Sequence, residues 1–120
     1  METPETNSLI EWLRRILLEW DLTPEKLAQL THTPESVLLG FLKVTEAEAQ
    51  RLPTVPQGLE NAVPLVSIFK RLKSKFPDAE AQVKWLFTEH ADFGNFKPID
   101  VIAQTPENLS WVSYYLESAR

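Results

Sequence analysis

The sequence has no cysteine, only three glycines and no long apolar run. The absence of cysteine excludes disulfides, thiolate zinc sites and cysteine nucleophiles. Three isolated glycines cannot build the glycine-rich loop that holds phosphate in many nucleotide-binding enzymes. No segment approaches the roughly 20 apolar residues of a membrane span, and residues 1–8 lack the basic start and apolar run of a signal peptide. We therefore expect a cytoplasmic protein that does not enter a membrane.

The side chains that usually catalyse reactions or bind metals do not form a recognisable pattern. The two histidines, His32 and His90, have no second ligand at metal-binding spacing. The acidic residues are scattered over predicted helix surfaces, and no nucleophile is paired with a base. The sequence therefore predicts a protein that is not an enzyme, with no cofactor, no metal and no small-molecule substrate.

What is present is the composition of a folded protein: 120 residues, of which 43% are hydrophobic and 24% charged. The net charge of −5 is uneven, since residues 1–58 carry 5 basic and 9 acidic side chains (−4) and residues 59–120 carry 7 and 8 (−1). Lysine and arginine supply most of the nonspecific affinity for DNA. The acidic N-terminal half is therefore a poor surface for DNA.

Apolar residues recur at helical spacing along most of the chain, beginning with a stripe from Leu9 to Trp20. Several helix starts share the motif Thr-Pro-Glu, in which threonine caps the helix, proline takes the first helical position and glutamate meets the positive end of the helix dipole. The motif begins at Thr23, Thr33 and Thr105, and a capping-box spacing begins at Thr45. No strand pattern is visible. The sequence predicts an all-α, compact multi-helix protein.

Two prolines and a glycine in residues 51–58 predict an irregular connection between two halves. We place the boundary there, with an N-terminal region at residues 1–56 and a C-terminal helical domain at residues 57–120. The longest helix is predicted just beyond, with Pro64 in its first turn and Pro77 closing it, and Asp78 is predicted to cap the next helix. Its apolar stripe consists of Ala62, Leu65, Phe69, Leu72 and Phe76. This stripe and the four tryptophans exceed the obvious needs of a small core, so we expect a homodimer.

Residues 24–43 have the proportions of a helix-turn-helix. Ala28 is small where the two helices must cross closely, Leu38 and Phe41 are apolar where the second helix needs a core face, and His32 occupies a turn position that favours left-handed backbone. The candidate DNA contacts on this segment are Thr33, Glu35, Ser36, Leu39 and Lys43. None of them is an arginine, asparagine or glutamine, the residues that read base edges best. Sequence-specific DNA binding is therefore left open.

The run from Lys70 to Lys75 contains four cations and is able to bind phosphate or an acidic partner. Cations in the last turns of a helix also complement its negative end, and a solvated face is their commonest explanation.

The C-terminal half carries a combination of short motifs. Trp85-Leu86 lies near the end of one predicted helix, residues 93–97 form an aromatic turn around a glycine, Pro98-Ile99-Asp100 opens a short helix, and the last helix ends near Tyr115-Leu116-Glu117. With the helix-turn-helix upstream, this order resembles the Xre/MbcA/ParS-type antitoxins, in which an Xre-like helix-turn-helix domain precedes a toxin-binding domain. The resemblance covers roughly residues 9–117.

The resemblance implies an antitoxin of a type II toxin-antitoxin pair that neutralises a RES-like or related NAD-consuming toxin by direct binding. Many members are dimers that also repress their own operon, so operator DNA is a further implied partner. The resemblance makes Trp85 and Ile99 framework residues. It assigns toxin contact to Phe93, Gly94, Asn95, Phe96, Lys97, Tyr115 and Arg120. Two alternatives remain open: an Xre-type DNA-binding transcriptional regulator without a toxin, and a non-catalytic adaptor that binds only protein.

Overall fold

The structure is a computed structural model that describes residues 6–43 and 59–118. Within these ranges the chain forms seven α-helices, one short 3₁₀ helix at Ala91–Phe93 and no β-strand, so the predicted all-α fold is confirmed. The helices are α1 (Thr6–Glu19), α2 (Pro24–Thr31), α3 (Glu35–Leu42), α4 (Ala62–Lys75), α5 (Ala79–Leu86), α6 (Pro98–Gln104) and α7 (Pro106–Ser118). The predicted boundary between residues 56 and 57 and the capping box at Thr45 lie outside the described residues. None of the described helices combines the length and the apolar character that crossing a membrane would require.

Threonine caps begin two of the helices as predicted. The hydroxyl of Thr23 accepts the Lys26 amide at 3.1 Å at the start of α2, and the hydroxyl of Thr105 accepts the Asn108 amide at 3.1 Å at the start of α7. Each bond satisfies one of the amides that a helix start leaves unpaired.

Of the two other predicted caps, the one at Thr33 is wrong and the one at Asp78 is confirmed only in position. α3 begins at Glu35 after Pro34, and the hydroxyl of Thr33 is turned inward, where it donates to the Thr31 carbonyl at 3.1 Å. Because Thr33 is buried against α2, local chain geometry rather than the cap motif decides where its hydroxyl points. Asp78 does precede α5, but its side chain makes no capping hydrogen bond.

The apolar stripe of α4 lies at the centre of the core. Leu65, Phe69 and Leu72 are fully buried, and Trp12 and Trp20 pack on the Phe69 ring in T-shaped pairs at centroid distances of 5.8 and 5.5 Å. α1 covers one side of α4 and α7 covers another. Since one chain buries most of this stripe, the stripe does not support the homodimer, which stays a prediction. α4 has 14 residues, the same as α1, so it is not the longest helix alone.

A buried hydrogen-bond pair joins α1 to the second half of the chain. The Trp20 indole N–H donates to Gln82 Oε1 at 3.0 Å, and Gln82 Nε2 donates to the Phe76 carbonyl at 2.8 Å. Gln82 is fully buried, so both ends of its amide need partners. This amide links α1, the end of α4 and α5 in one arrangement.

The structure confirms the burial and the turn backbone that the sequence predicts for α2 and α3. Ala28, Leu38 and Phe41 are buried, and His32 adopts the left-handed conformation with φ 52°. Nε2 of His32 lies 2.8 Å from the Ile102 carbonyl, so the turn between α2 and α3 is tied to the end of α6. α6 and α7 in turn pack closely on each other, and α7 packs on α4. This framework holds the loop before α6 and the outer face of α7 side by side.

Candidate partner-binding surface

The loop between α5 and α6 is closed on itself by backbone hydrogen bonds. The amide of His90 donates to the Phe96 carbonyl at 3.2 Å, and the amide of Asn95 donates to the His90 carbonyl at 2.9 Å. The chain reverses through Gly94 (φ 67°) and Asn95 (φ 66°), both left-handed. Glycine carries no Cβ to strain this conformation, and asparagine tolerates it better than most residues. The chain therefore reverses direction at the two residues that best tolerate left-handed backbone.

Phe93 is the centre of an aromatic cluster that joins this loop to α5 and α7. Its ring lies 5.8 Å from Trp85, 6.1 Å from His90, 5.3 Å from Trp111 and 5.0 Å from Tyr115, measured between centroids, and all four contacts are edge-to-face. Edge-to-face pairs place the positive edge of one ring on the negative face of another. Phe93 is 7% exposed, so it supports the surface from beneath.

A hydrogen bond closes the outer edge of this cluster. The hydroxyl of Tyr115 donates to Asp92 Oδ2 at 2.7 Å. This bond, together with partial burial and the negative charge of Asp92, raises the pKa of Tyr115 above its ordinary value of 10.0. Tyr115 is therefore a neutral donor near pH 7, and its bond holds the short 3₁₀ helix against α7.

His90 also belongs to the framework of the loop. Its ring lies 5.4 Å from the Trp85 ring, and its Nε2 lies 3.1 Å from the Trp85 carbonyl near the end of α5. This contact places the ring on a carbonyl in the last turn of α5, where helix carbonyls lack partners within the helix. The ring has a second role that the sequence did not indicate, which is to pack between Trp85 and Phe93.

The exposed side of α7 presents aromatic rings to solvent. Trp111 is 46% exposed and Tyr114 is 67% exposed, and the rings of Trp111 and Tyr115 stack at 5.7 Å. Together with Ser118 they line a shallow, mainly apolar depression of about 350 Å³. We call Trp111, Tyr114 and Tyr115 the α7 aromatic face. Rings with a polar tip on a rigid helix are well suited to bind another protein.

The predicted toxin contacts differ in how far they reach the surface. Phe96 and Lys97 are exposed on the loop, with Phe96 at 55%, and Gly94 and Asn95 form the exposed reversal beside them. Phe93 is buried, so the structure corrects its predicted surface position. Tyr115 is half-buried in the α7 aromatic face, and Arg120 lies outside the described residues. The predicted framework residues behave as expected, since Ile99 is buried and Trp85 is half-buried in the cluster.

The predicted DNA contacts do not all reach the surface. Glu35, Ser36 and Lys43 are exposed, Leu39 is half-buried, and Thr33 is buried with its hydroxyl on the Thr31 carbonyl. Thr33 is therefore a packing residue rather than part of an outward face.

Sequence reasoning missed three residues of the candidate surface. Trp111 and Tyr114 were not among the predicted contacts, and Asp92 was not recognised as the partner of Tyr115. The spacing of Trp111 and Tyr115, four residues apart on one helix, would have placed them together. No sequence signal pairs Asp92 with Tyr115, because the bond joins residues 23 positions apart.

The α7 aromatic face and the adjacent loop provide hydrogen-bonding groups and apolar area for a partner. Among the described residues, no group of three or more histidine, aspartate or glutamate side chains is positioned to hold a metal ion. Comparison with models of known protein families gave no match, and comparison with curated proteins gave none either.

Proposed function

We propose that the protein is an antitoxin that neutralises a partner toxin by covering it with the α7 aromatic face and the adjacent loop of residues 94–97. The resemblance to Xre/MbcA/ParS-type antitoxins supplies the partner class, a RES-like or related NAD-consuming toxin. The single observation that carries the proposal is the exposure of Trp111 and Tyr114 on the last helix, beside Tyr115, which the resemblance assigns to toxin contact.

Exposed aromatic rings are unfavourable in water and pack well against an apolar partner surface. A tryptophan and a tyrosine next to each other on a helix leave apolar area in water, which a partner surface would remove. Both types are enriched among residues that dominate binding energy at protein interfaces. Phe93 packs against Trp111, and Asp92 fixes the neighbouring Tyr115, so these two rings would lose little conformational freedom on binding.

The test is co-expression with the product of the adjacent gene. The neighbouring protein, expressed alone, should stop growth, and co-expression should restore growth and yield a complex that purifies as one species. The double substitution Trp111→Ala with Tyr114→Ala should weaken the complex at least about 30-fold, the equivalent of about 2 kcal/mol.

Leu18→Ala is the matched control, since Leu18 is an exposed apolar side chain on α1, away from the α7 aromatic face. It should leave affinity and growth rescue unchanged. A neighbour that is harmless alone would refute the antitoxin proposal and favour the adaptor. An unchanged affinity in the double variant, with helical content retained, would refute the assignment of the surface.

Transcriptional regulation is the second candidate, favoured by the geometry of α2 and α3. The chemistry of that segment weighs against it, because the groove beside the turn is lined by Glu25 and Glu35 and by no lysine or arginine. A gel-shift assay with the upstream DNA, repeated over a range of salt concentrations, tests it. Tight binding with a steep salt dependence by the protein alone would favour a regulator.

A further inference from the structure

A groove between α4 and α7 gathers positive charge on a chain that is acidic overall. The groove has a volume of about 480 Å³. It is lined by Ser67, Lys70, Arg71, Ser74, Lys75, Leu116 and Glu117. Three cations face one carboxylate, which gives a local charge of +2 in a protein whose net charge is −5. For the cations between Lys70 and Lys75, the commonest explanation from sequence was a solvated face or a complement to the helix dipole.

That role fits only part of the run. Lys73 lies 3.4 Å from Glu19 and belongs to the contact between α1 and α4. Lys70 lies 4.6 Å from the centre of the Trp12 ring, which leaves its other side toward the groove. Lys75 is exposed in the last turn, where it also complements the helix dipole. None of these contacts gives Arg71 a structural role.

Arg71 has hydrogen-bonding capacity that its surroundings do not use. Its Nε is buried and has no hydrogen-bond partner among the described residues. Its Nη2 lies 3.6 Å from Glu117 Oε2, longer than an ordinary hydrogen bond, and that carboxylate is well exposed to water. Arginine presents five donors in a planar fork that fits oxyanions. The side chain as a whole is 36% exposed, so the outer nitrogens of the fork are the donors that an anion in the groove would reach.

The hydroxyls beside the fork suit the same ligand. Ser67 accepts a hydrogen bond from Ser113 at 3.1 Å, which leaves the Ser67 hydrogen available to donate. Ser74 is exposed on α4, two helical turns beyond Ser67 and one turn beyond Arg71. A carboxylate has two oxygens and one charge, whereas a phosphate group has three or more oxygens and close to two charges. The set of cations and hydroxyls therefore matches phosphate better than a carboxylate.

We propose that this groove binds a phosphate group, carried by inorganic phosphate or by a nucleotide, on Arg71, Lys70 and Lys75. Glu117 is the internal competitor, since its carboxylate faces the same guanidinium. Binding displaces that carboxylate toward water, and the hydroxyl of Ser74, one helical turn from Arg71, donates to a remaining oxygen. The site is separate from the α7 aromatic face and does not depend on the antitoxin proposal.

The experiment is a titration of the ¹⁵N-labelled full chain, followed by the Arg71 Nε–H resonance at constant ionic strength. The titrants are inorganic phosphate, a nucleoside monophosphate and potassium chloride. We expect saturable shifts with the two phosphates and none with chloride. Arg71→Gln should weaken binding at least about tenfold, the loss of one charge-assisted contact, as followed by the Ser74 amide.

Glu117→Gln should strengthen binding roughly fivefold, because it removes a nearby negative charge. A merely structural ion pair would not give this sign. Lys75→Gln, at an exposed position, should weaken binding severalfold even if Arg71→Gln fails to fold. Lys84→Gln on α5 is the matched control and should bind as the wild type does.

Three results would overturn the proposal: shifts that chloride reproduces, shifts that never saturate, or an unchanged or weaker affinity in Glu117→Gln. Either order of affinity between the two phosphates supports the site. Tighter binding of the nucleoside monophosphate would identify a nucleotide as the source, and equal affinity would identify the phosphate group alone.

Discussion

Replacing Gln82 by leucine tests how α1 is held against the second half of the chain. The Gln82 amide accepts the Trp20 indole N–H at 3.0 Å and donates to the Phe76 carbonyl at 2.8 Å. Leucine has a similar volume and fills the same space, but it has neither donor nor acceptor. The substitution therefore removes two hydrogen bonds while leaving the packing nearly intact.

The expected loss of stability follows from the two polar groups that lose their hydrogen-bond partner. Trp20 is 1% exposed, so its indole N–H becomes a buried donor without a partner, at a cost of about 1–3 kcal/mol. The Phe76 carbonyl is only partly buried, so water is able to replace the lost donor at a smaller cost. We expect the free energy of unfolding to fall by about 2–3 kcal/mol, a large share of the roughly 5–15 kcal/mol typical of small domains.

The assay is urea unfolding followed by tryptophan fluorescence, with the slope of the transition checked for equality between the two proteins. Gln29→Leu, on the exposed side of α2, is the matched control and should change stability by less than about 0.5 kcal/mol. An unchanged or raised stability in Gln82→Leu would refute the reasoning, because it would mean that apolar contact with leucine fully replaces the buried amide network.

Two further predictions concern the candidate surface. The raised pKa of Tyr115 means that its bond to Asp92 stabilises the fold fully below pH 10.0 and is lost as the pH rises through the folded-state value. Absorbance titration at alkaline pH should therefore show that Tyr115 ionises at lower pH in Asp92→Asn than in the wild type. Identical titration curves for the two proteins would contradict the assigned bond. Gly94→Ala should lower the free energy of unfolding by about 1 kcal/mol, because alanine is strained at φ +67° although its Cβ would lie at an ordinary 3.6 Å from the Phe96 ring. Gly40→Ala, in α3 with open space around it, is the control and should stabilise by about 0.5–1 kcal/mol, so equal effects in chemical denaturation would refute the backbone argument.

Helix starts could be predicted where residues close in sequence determine them. Thr23-Pro24 and Thr105-Pro106 mark helix starts because the cap and the fixed proline φ act within four residues. Thr33-Pro34 repeats the motif, yet its hydroxyl turns to the Thr31 carbonyl because the segment is buried against α2. The same short motif thus has two outcomes, and tertiary burial selects between them.

The position of the candidate surface was predictable, but the residues that form it were not. The glycine-containing turn and the last helix are local features, and both are present. The burial of Phe93 and the exposure of Trp111 were not predictable, because side chains of similar hydrophobicity are distinguished only by what packs on them. The Asp92–Tyr115 bond and the unfilled Arg71 fork depend on which helices become neighbours.

The sequence by itself determined the all-α class, the two confirmed threonine caps, the left-handed turns at His32 and Gly94, and the apolar stripe of α4. These follow from backbone sterics, capping and periodicity, which act over one or two helical turns. Only the tertiary structure decided that the stripe is covered within one chain, that Gln82 bonds Trp20, and which aromatic rings of α7 face water. Such outcomes join residues tens of positions apart, so they depend on how helices pack, and no local pattern encodes the packing partner.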